Sequence, residues 1–158
     1  MKSLFIIGLL LAGLISFSCK ENGESKPKEE QKLMTSSQKA KLINGRWEVN
    51  YLAAMPKPMD SLFPRIKPSL IIDADKGQIS GTTGCNNFSG KVSIEGKEFI
   101  LDEAIALTKK MCPDMTGEES FMKTLQRVNT YSVTDRGQTL NLITGDMAVM
   151  RLQRVQED

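Results

Sequence analysis

The sequence predicts an α+β domain: a curved, mainly antiparallel β-sheet, a partial barrel, packed with one principal α-helix. Three observations predict it. Between residues 46 and 152, short runs alternate apolar with polar residues, as half-buried strands do. Short Gly-containing turns separate most of these runs, so successive strands should return antiparallel. One stretch, beginning at Thr116, instead repeats its apolar residues at helical spacing.

Arg46–Leu52 follows Gly45 and reads as the first strand, with Trp47, Val49 and Tyr51 on one face. Met55-Pro56-Lys57-Pro58 reads as a loop, because two prolines so close cannot serve a sheet ladder. Ser69–Asp73 is the next strand, and Asp75-Lys76-Gly77 turns it into Gln78–Gly81. Lys91–Ile94 and Glu98–Leu101 flank the hairpin loop Glu95-Gly96-Lys97, and Ala104–Thr108 continues apolar. Thr116-Gly117-Glu118-Glu119 has the form of a capping box, with both glutamates at the positive end of the helix. Phe121, Leu125 and Val128, with Met122 beside them, make the buried stripe, while Lys123, Gln126 and Arg127 face water. Tyr131–Val133, Gln138–Leu142 and Ala148–Leu152 follow, separated by turns at Arg136-Gly137 and Thr144-Gly145-Asp146. Roughly seven or eight short strands thus surround one helix.

The N-terminus carries a different signal. Met1-Lys2 is followed by an almost wholly apolar run from Leu4 to Phe17, which ends at Ser16-Phe17-Ser18-Cys19. A comfortable span needs about 20 apolar residues, and no stop-transfer pattern follows. Residues 1–18 resemble a bacterial lipoprotein signal, which implies that the Cys19 thiol takes a diacylglycerol and becomes the mature N-terminus. The alternatives are an ordinary cleaved signal with a free cysteine, or a transmembrane anchor. Residues 19–41 are dense in Lys, Glu, Ser and Gln and read as a disordered tether. Residues 42–154 form a single domain of ordinary size, and 155–158 a short C-terminal tail. The expected location is the cell envelope, with the protein lipid-anchored, at the outer membrane in preference to the inner. The domain would face the periplasm or the cell surface.

Composition narrows the chemistry. The formal net charge is +2 and aromatic residues make up 6% without a basic cluster, so a nucleic-acid partner is not expected. The chain contains no histidine, which removes the commonest general base and metal ligand together. Lys109 and Lys110 beside Cys112 are a weak hint of an activated thiol, outweighed by the missing base. Asp73 with Asp75, and Asp102 with Glu103, read as solvated turn ends rather than a catalytic dyad. Met55, Met59, Met111, Met115 and Met122 form no regular repeat, so they read as packing rather than Cu(I) ligands. We expect no enzymatic activity, no cofactor and no metal.

Gly84-Cys85-Asn86-Asn87-x-x-Gly90, then Thr108-x-x-x-Cys112-Pro113, then Glu118-x-x-Phe121-x-x-x-Leu125 and paired closing strands together resemble the META domain of HslJ-like bacterial lipoproteins. Gly45-x-Trp47 also fits, and the likeness spans residues 42–153. Val92 stands where the family often has an aromatic residue, and Lys110 where it often has an apolar one. The resemblance implies an envelope protein, linked in some members to heat shock or drug tolerance, without an established enzymatic activity.

With Cys19 assigned to lipid, Cys85 and Cys112 remain as an even pair in an exported domain. A disulfide between them is expected, the alternative being two buried inert thiols. Glycines bracketing Cys85-Asn86 permit a sharp turn, and Asn86 and Asn87 can bond nearby backbone. This turn is either structural or part of a ligand-binding loop. Met55, Met59 and Phe63 add exposed apolar surface as a candidate contact for a protein or small molecule. The leading expectation is a non-enzymatic binding role in envelope stress tolerance. The alternative is a periplasmic inhibitor of a hydrolase, such as lysozyme or a protease.

Overall fold

The computed structural model describes residues 41–156. The expected signal segment 1–18, the expected lipidation site Cys19 and nearly all of the expected tether lie outside the described residues. The described residues contain nine strands: β1 (Gly45–Leu52), β2 (Ser69–Asp73), β3 (Gln78–Thr82), β4 (Asn87–Glu95), β5 (Glu98–Leu101), β6 (Ala106–Leu107), β7 (Thr130–Thr134), β8 (Thr139–Thr144) and β9 (Met147–Arg154). Helical residues among those described are 41–43, α1 (Met59–Leu62) and α2 (Thr116–Leu125).

The strands are antiparallel and run β3-β2-β1-β9-β8-β7-β5-β4, and a further β3–β4 pairing joins the ends. The sheet is therefore a closed barrel of eight strands rather than the partial barrel expected, with β6 added alongside β4. Closure follows from the length of β4, which begins at Asn87 instead of Lys91. Its first half pairs with β3 and its second half with β5. The last joint is narrow. β5 and β7 share the single register pair Glu98↔Thr130, supported by Phe99 N–H to Asn129 O (3.0 Å) and Tyr131 N–H to Lys97 O (2.9 Å).

Alternating residues fill the interior, as a small barrel requires. Trp47, Val49, Leu70, Ile72, Phe99, Leu140 and Leu152 are fully or nearly fully buried, and α2 adds Phe121 and Leu125 to the same core. Phe121 meets Phe88 of β4 with ring centroids 5.8 Å apart. Gly45-x-Trp47 acquires a partner from β9. The Arg154 guanidinium lies 4.1 Å from the Trp47 ring centre and donates to the carbonyls of Asn44, Leu42 and Gly137. A Cβ at Gly45 would fall 2.6 Å from that guanidinium, so the glycine makes room for it.

Three local expectations are corrected. Tyr51 does not share a face with Trp47 and Val49: the register of β1 against β9 shifts between Val49 and Tyr51. Such a bulge reverses the alternation, leaving Tyr51 45% exposed beneath Arg151 and turning Leu52 inward. Ala104–Thr108 is not a continuous apolar strand. Residues 102–105 lie outside any strand, and only Ala106 and Leu107 pair with β4, both exposed. The capping box at Thr116 does not form, because Thr116 is already helical and Met115 occupies the cap position. Asp114 instead accepts from the Thr116 amide at 2.9 Å.

Candidate functional site

The turn between β3 and β4 is built on Gly84, whose positive φ of 92° admits a sharp reversal. Asn86 follows, 1% exposed, and both ends of its side-chain amide are fully used. Its Nδ2 donates to Lys110 O (3.2 Å) and Glu118 Oε1 (3.1 Å). Its Oδ1 accepts from the Lys110 amide (2.7 Å) and the Thr108 hydroxyl (2.8 Å). The side chain therefore stands in for a strand residue, pairing with both backbone groups of Lys110. Glu118 also accepts from the Asn86 amide (3.2 Å) and from the Thr83 hydroxyl, so three donors converge on this buried carboxylate.

Two residues beyond Lys110, Cys112 is bonded to Cys85, with Cα atoms 6.2 Å apart. The segment 108–112 is thus pinned twice, by an amide and by sulfur. Lys110, one of the two departures from the family pattern, is exposed, so its charge is not buried.

Above this brace lies a cleft of about 250 Å³. Leu62, Phe63, Ile66, the disulfide and Pro113 give it an apolar lining, and Arg65 and Asp114 stand among its charged residues. Asp114 pairs with Lys57 at 3.0 Å. Its hydrogen bonds with Thr116 and then Lys57 hold its carboxyl well below the usual carboxylate range. No ion pair engages Arg65 among the described residues.

The residues singled out from sequence are distributed unevenly around this cleft. Phe63 lines it, but as a buried ring (6% exposed) rather than loose surface. A Cβ at Gly84 or Gly117 would come within 2.6 or 2.7 Å of that ring, so the two glycines form its slot. Asn86 lies beneath the cleft with no free bonding atom. Asn87 is exposed at the start of β4, its amide donating to the Thr108 hydroxyl at 3.1 Å. Met55 and Met59 are half-buried against the core and do not line the cleft. Arg65, Ile66 and Glu118 were not singled out as site residues. Glu118 had a readable signal: it precedes Phe121 by three positions and Leu125 by seven, on the stripe that turns inward.

The other aspartates singled out from sequence make local structural contacts. Asp73 pairs with Lys76 at 2.7 Å, Asp75 accepts from Asn44 at 2.9 Å, and Asp102 accepts from the Ala104 amide at 2.9 Å. Among the described residues no three His, Cys, Asp or Glu side chains gather as a metal would require. No helix of the described residues is long and apolar enough to cross a membrane.

A closed antiparallel barrel, braced by a buried Asn–Glu pair and a disulfide under an apolar cleft, defines a class of small single-domain barrels. The chain belongs to the META domain family, whose model matches residues 40–157. No curated protein matches it. Among solved structures it is similar to a protein from Burkholderia xenovorans determined by NMR (TM-score 0.61, 17% identity, covering 78% of this chain and 90% of that one). A second NMR structure agrees with TM-score 0.51 at 21% identity, over 77% of this chain and 95% of the other. A DUF4847 family protein from Bacteroides vulgatus gives TM-score 0.50 at 12% identity, over 73% and 95%. At these identities the likeness is one of fold.

Proposed function

We propose that this chain is a lipid-anchored envelope protein whose META domain binds a small ligand or a protein at the disulfide-bordered cleft, without catalysing a reaction, as part of envelope stress tolerance. The observation that carries this reading is the cleft itself. It is concave and mostly apolar, with few polar groups, the usual character of a binding site. At its floor, Thr83, Asn86 and Glu118 spend their hydrogen bonds on one another and on Thr108 and Lys110. Anchoring through Cys19 rests on the signal-like N-terminus; a single acyl chain there would anchor only marginally, and a multiply acylated Cys19 would hold the domain durably at a membrane surface.

The reading is tested in cells with a photo-crosslinking amino acid at Ile66, on the cleft, and at Tyr51, on the barrel wall. A discrete adduct is expected from Ile66 and none from Tyr51. Equal or absent adducts at both positions would overturn the binding site. Cys19→Ala should abolish metabolic labelling with palmitate and release the protein from membranes; retention with undiminished label would overturn the anchor.

A further inference from the structure

We infer that the cleft accepts the single apolar chain of an anionic amphiphile, a fatty-acid-like molecule, with its carboxylate held by Arg65 at the rim. This rests on the binding reading above and names the ligand class. The first observation is capacity. A cavity of about 150 Å³ lined by Leu, Ile and Phe admits benzene. The cleft, at about 250 Å³, has room for a longer apolar segment against Leu62, Phe63, Ile66 and the disulfide.

The second observation is what adjoins it. Arg65 and Ile66 also line a neighbouring groove of about 450 Å³, so one short segment is shared by both depressions. That groove gathers Arg46, Arg65 and Lys67 against the single carboxylate of Glu48. Ion pairs among the described residues are Lys57–Asp114 and Lys76–Asp73, and neither involves these three cations. On the cleft Asp114 is committed to Lys57, and the buried Glu118 to the Thr83 hydroxyl and the Asn86 amides, so the exposed, unpaired charge where the two depressions meet is that of Arg65. An apolar cavity opening onto unpaired cations matches a chain with an anionic head. A neutral chain would leave the guanidinium unused, and a cationic head would be repelled.

The test uses the full chain in its native membranes and two diazirine probes of equal length, a ten-carbon fatty acid and the corresponding alcohol. Cross-linked peptides are mapped by mass spectrometry. The acid should label peptides containing Leu62–Ile66 and Cys112–Pro113 about two- to fivefold more than the alcohol, the ratio expected for one partly exposed charge pair. Unlabelled decanoate should compete. Arg65→Glu should remove the preference for the acid, and Ile66→Asp should abolish labelling by both probes. Both residues are exposed, so the variants should keep the wild-type melting temperature. Equal labelling by acid and alcohol, or labelling spread evenly over the barrel, would overturn the inference. If the probes fail while a crosslinker at Ile66 still traps a discrete adduct, the site stands and this ligand class falls. If both fail, both fall.

Discussion

Asn86 shows how much one side chain can organise. Its amide satisfies the backbone of Lys110 and one oxygen of Glu118, so Asn86→Ala leaves several buried groups without partners. Each such loss costs about 1–3 kcal/mol. We expect Asn86→Ala to lower stability by roughly 3–5 kcal/mol in urea titration, given incomplete additivity. Asn86→Asp should be worse still, because it places a second carboxylate against Glu118 and the Lys110 carbonyl. An aspartate variant as stable as the alanine would contradict this geometry. Asp114 makes a smaller prediction. Its carboxyl is held below the ordinary value by Thr116 and then Lys57, so its contribution is present above about pH 4 and fades as pH falls further. Melting temperature should therefore fall less steeply in acid for Asp114→Asn than for the wild type, and added salt should narrow the gap because the group is exposed. That an Asn-rich turn sits at 86–87 was legible in the sequence. Its partners were not, for they come from 24 and 32 positions away and no local pattern encodes them.

At the level of elements, the slot for Phe63 sets two preferences against each other. Gly117 lies in the first turn of α2, where alanine would normally gain up to about 1 kcal/mol in helix propensity. The added methyl would meet the Phe63 ring at 2.7 Å and the Leu62 carbonyl at 3.1 Å. Overpacking of that kind costs about 1–3 kcal/mol, so Gly117→Ala should be net destabilising. Combining it with Phe63→Leu should recover part of the loss, which a thermal-denaturation cycle would reveal. Strand identities were readable because alternation and Gly turns are local signals. Tyr51 was misplaced because a bulge moves a side chain to the opposite face without altering composition. The start of α2 was misjudged for a related reason: Asp114 lies outside the Thr116–Glu119 pattern yet reaches the first free amide.

For the whole molecule, closure could not be read from any strand alone. It depends on β4 serving β3 along its first half and β5 along its second, and on the slender joint between β5 and β7. We expect the amides of Phe99 and Tyr131 at that joint to exchange with deuterium faster than Leu140 and Leu152 in the broad β8–β9 pairing. The pairing of Cys85 with Cys112 spans 27 residues, for which chain entropy predicts about 3–4 kcal/mol. Reduction should lower the melting point by roughly 10–15 °C but leave a folded barrel, because Asn86 still holds Lys110. Loss of near-UV circular dichroism on reduction would contradict that. The same double pinning bears on how the protein matures. If the barrel closes before oxidation, the amide of Asn86 already delivers one sulfur to its mate, two positions from where it grips the chain. An electron acceptor should then suffice, without a shuffling isomerase, since residues 42–154 hold no third thiol with which to mispair.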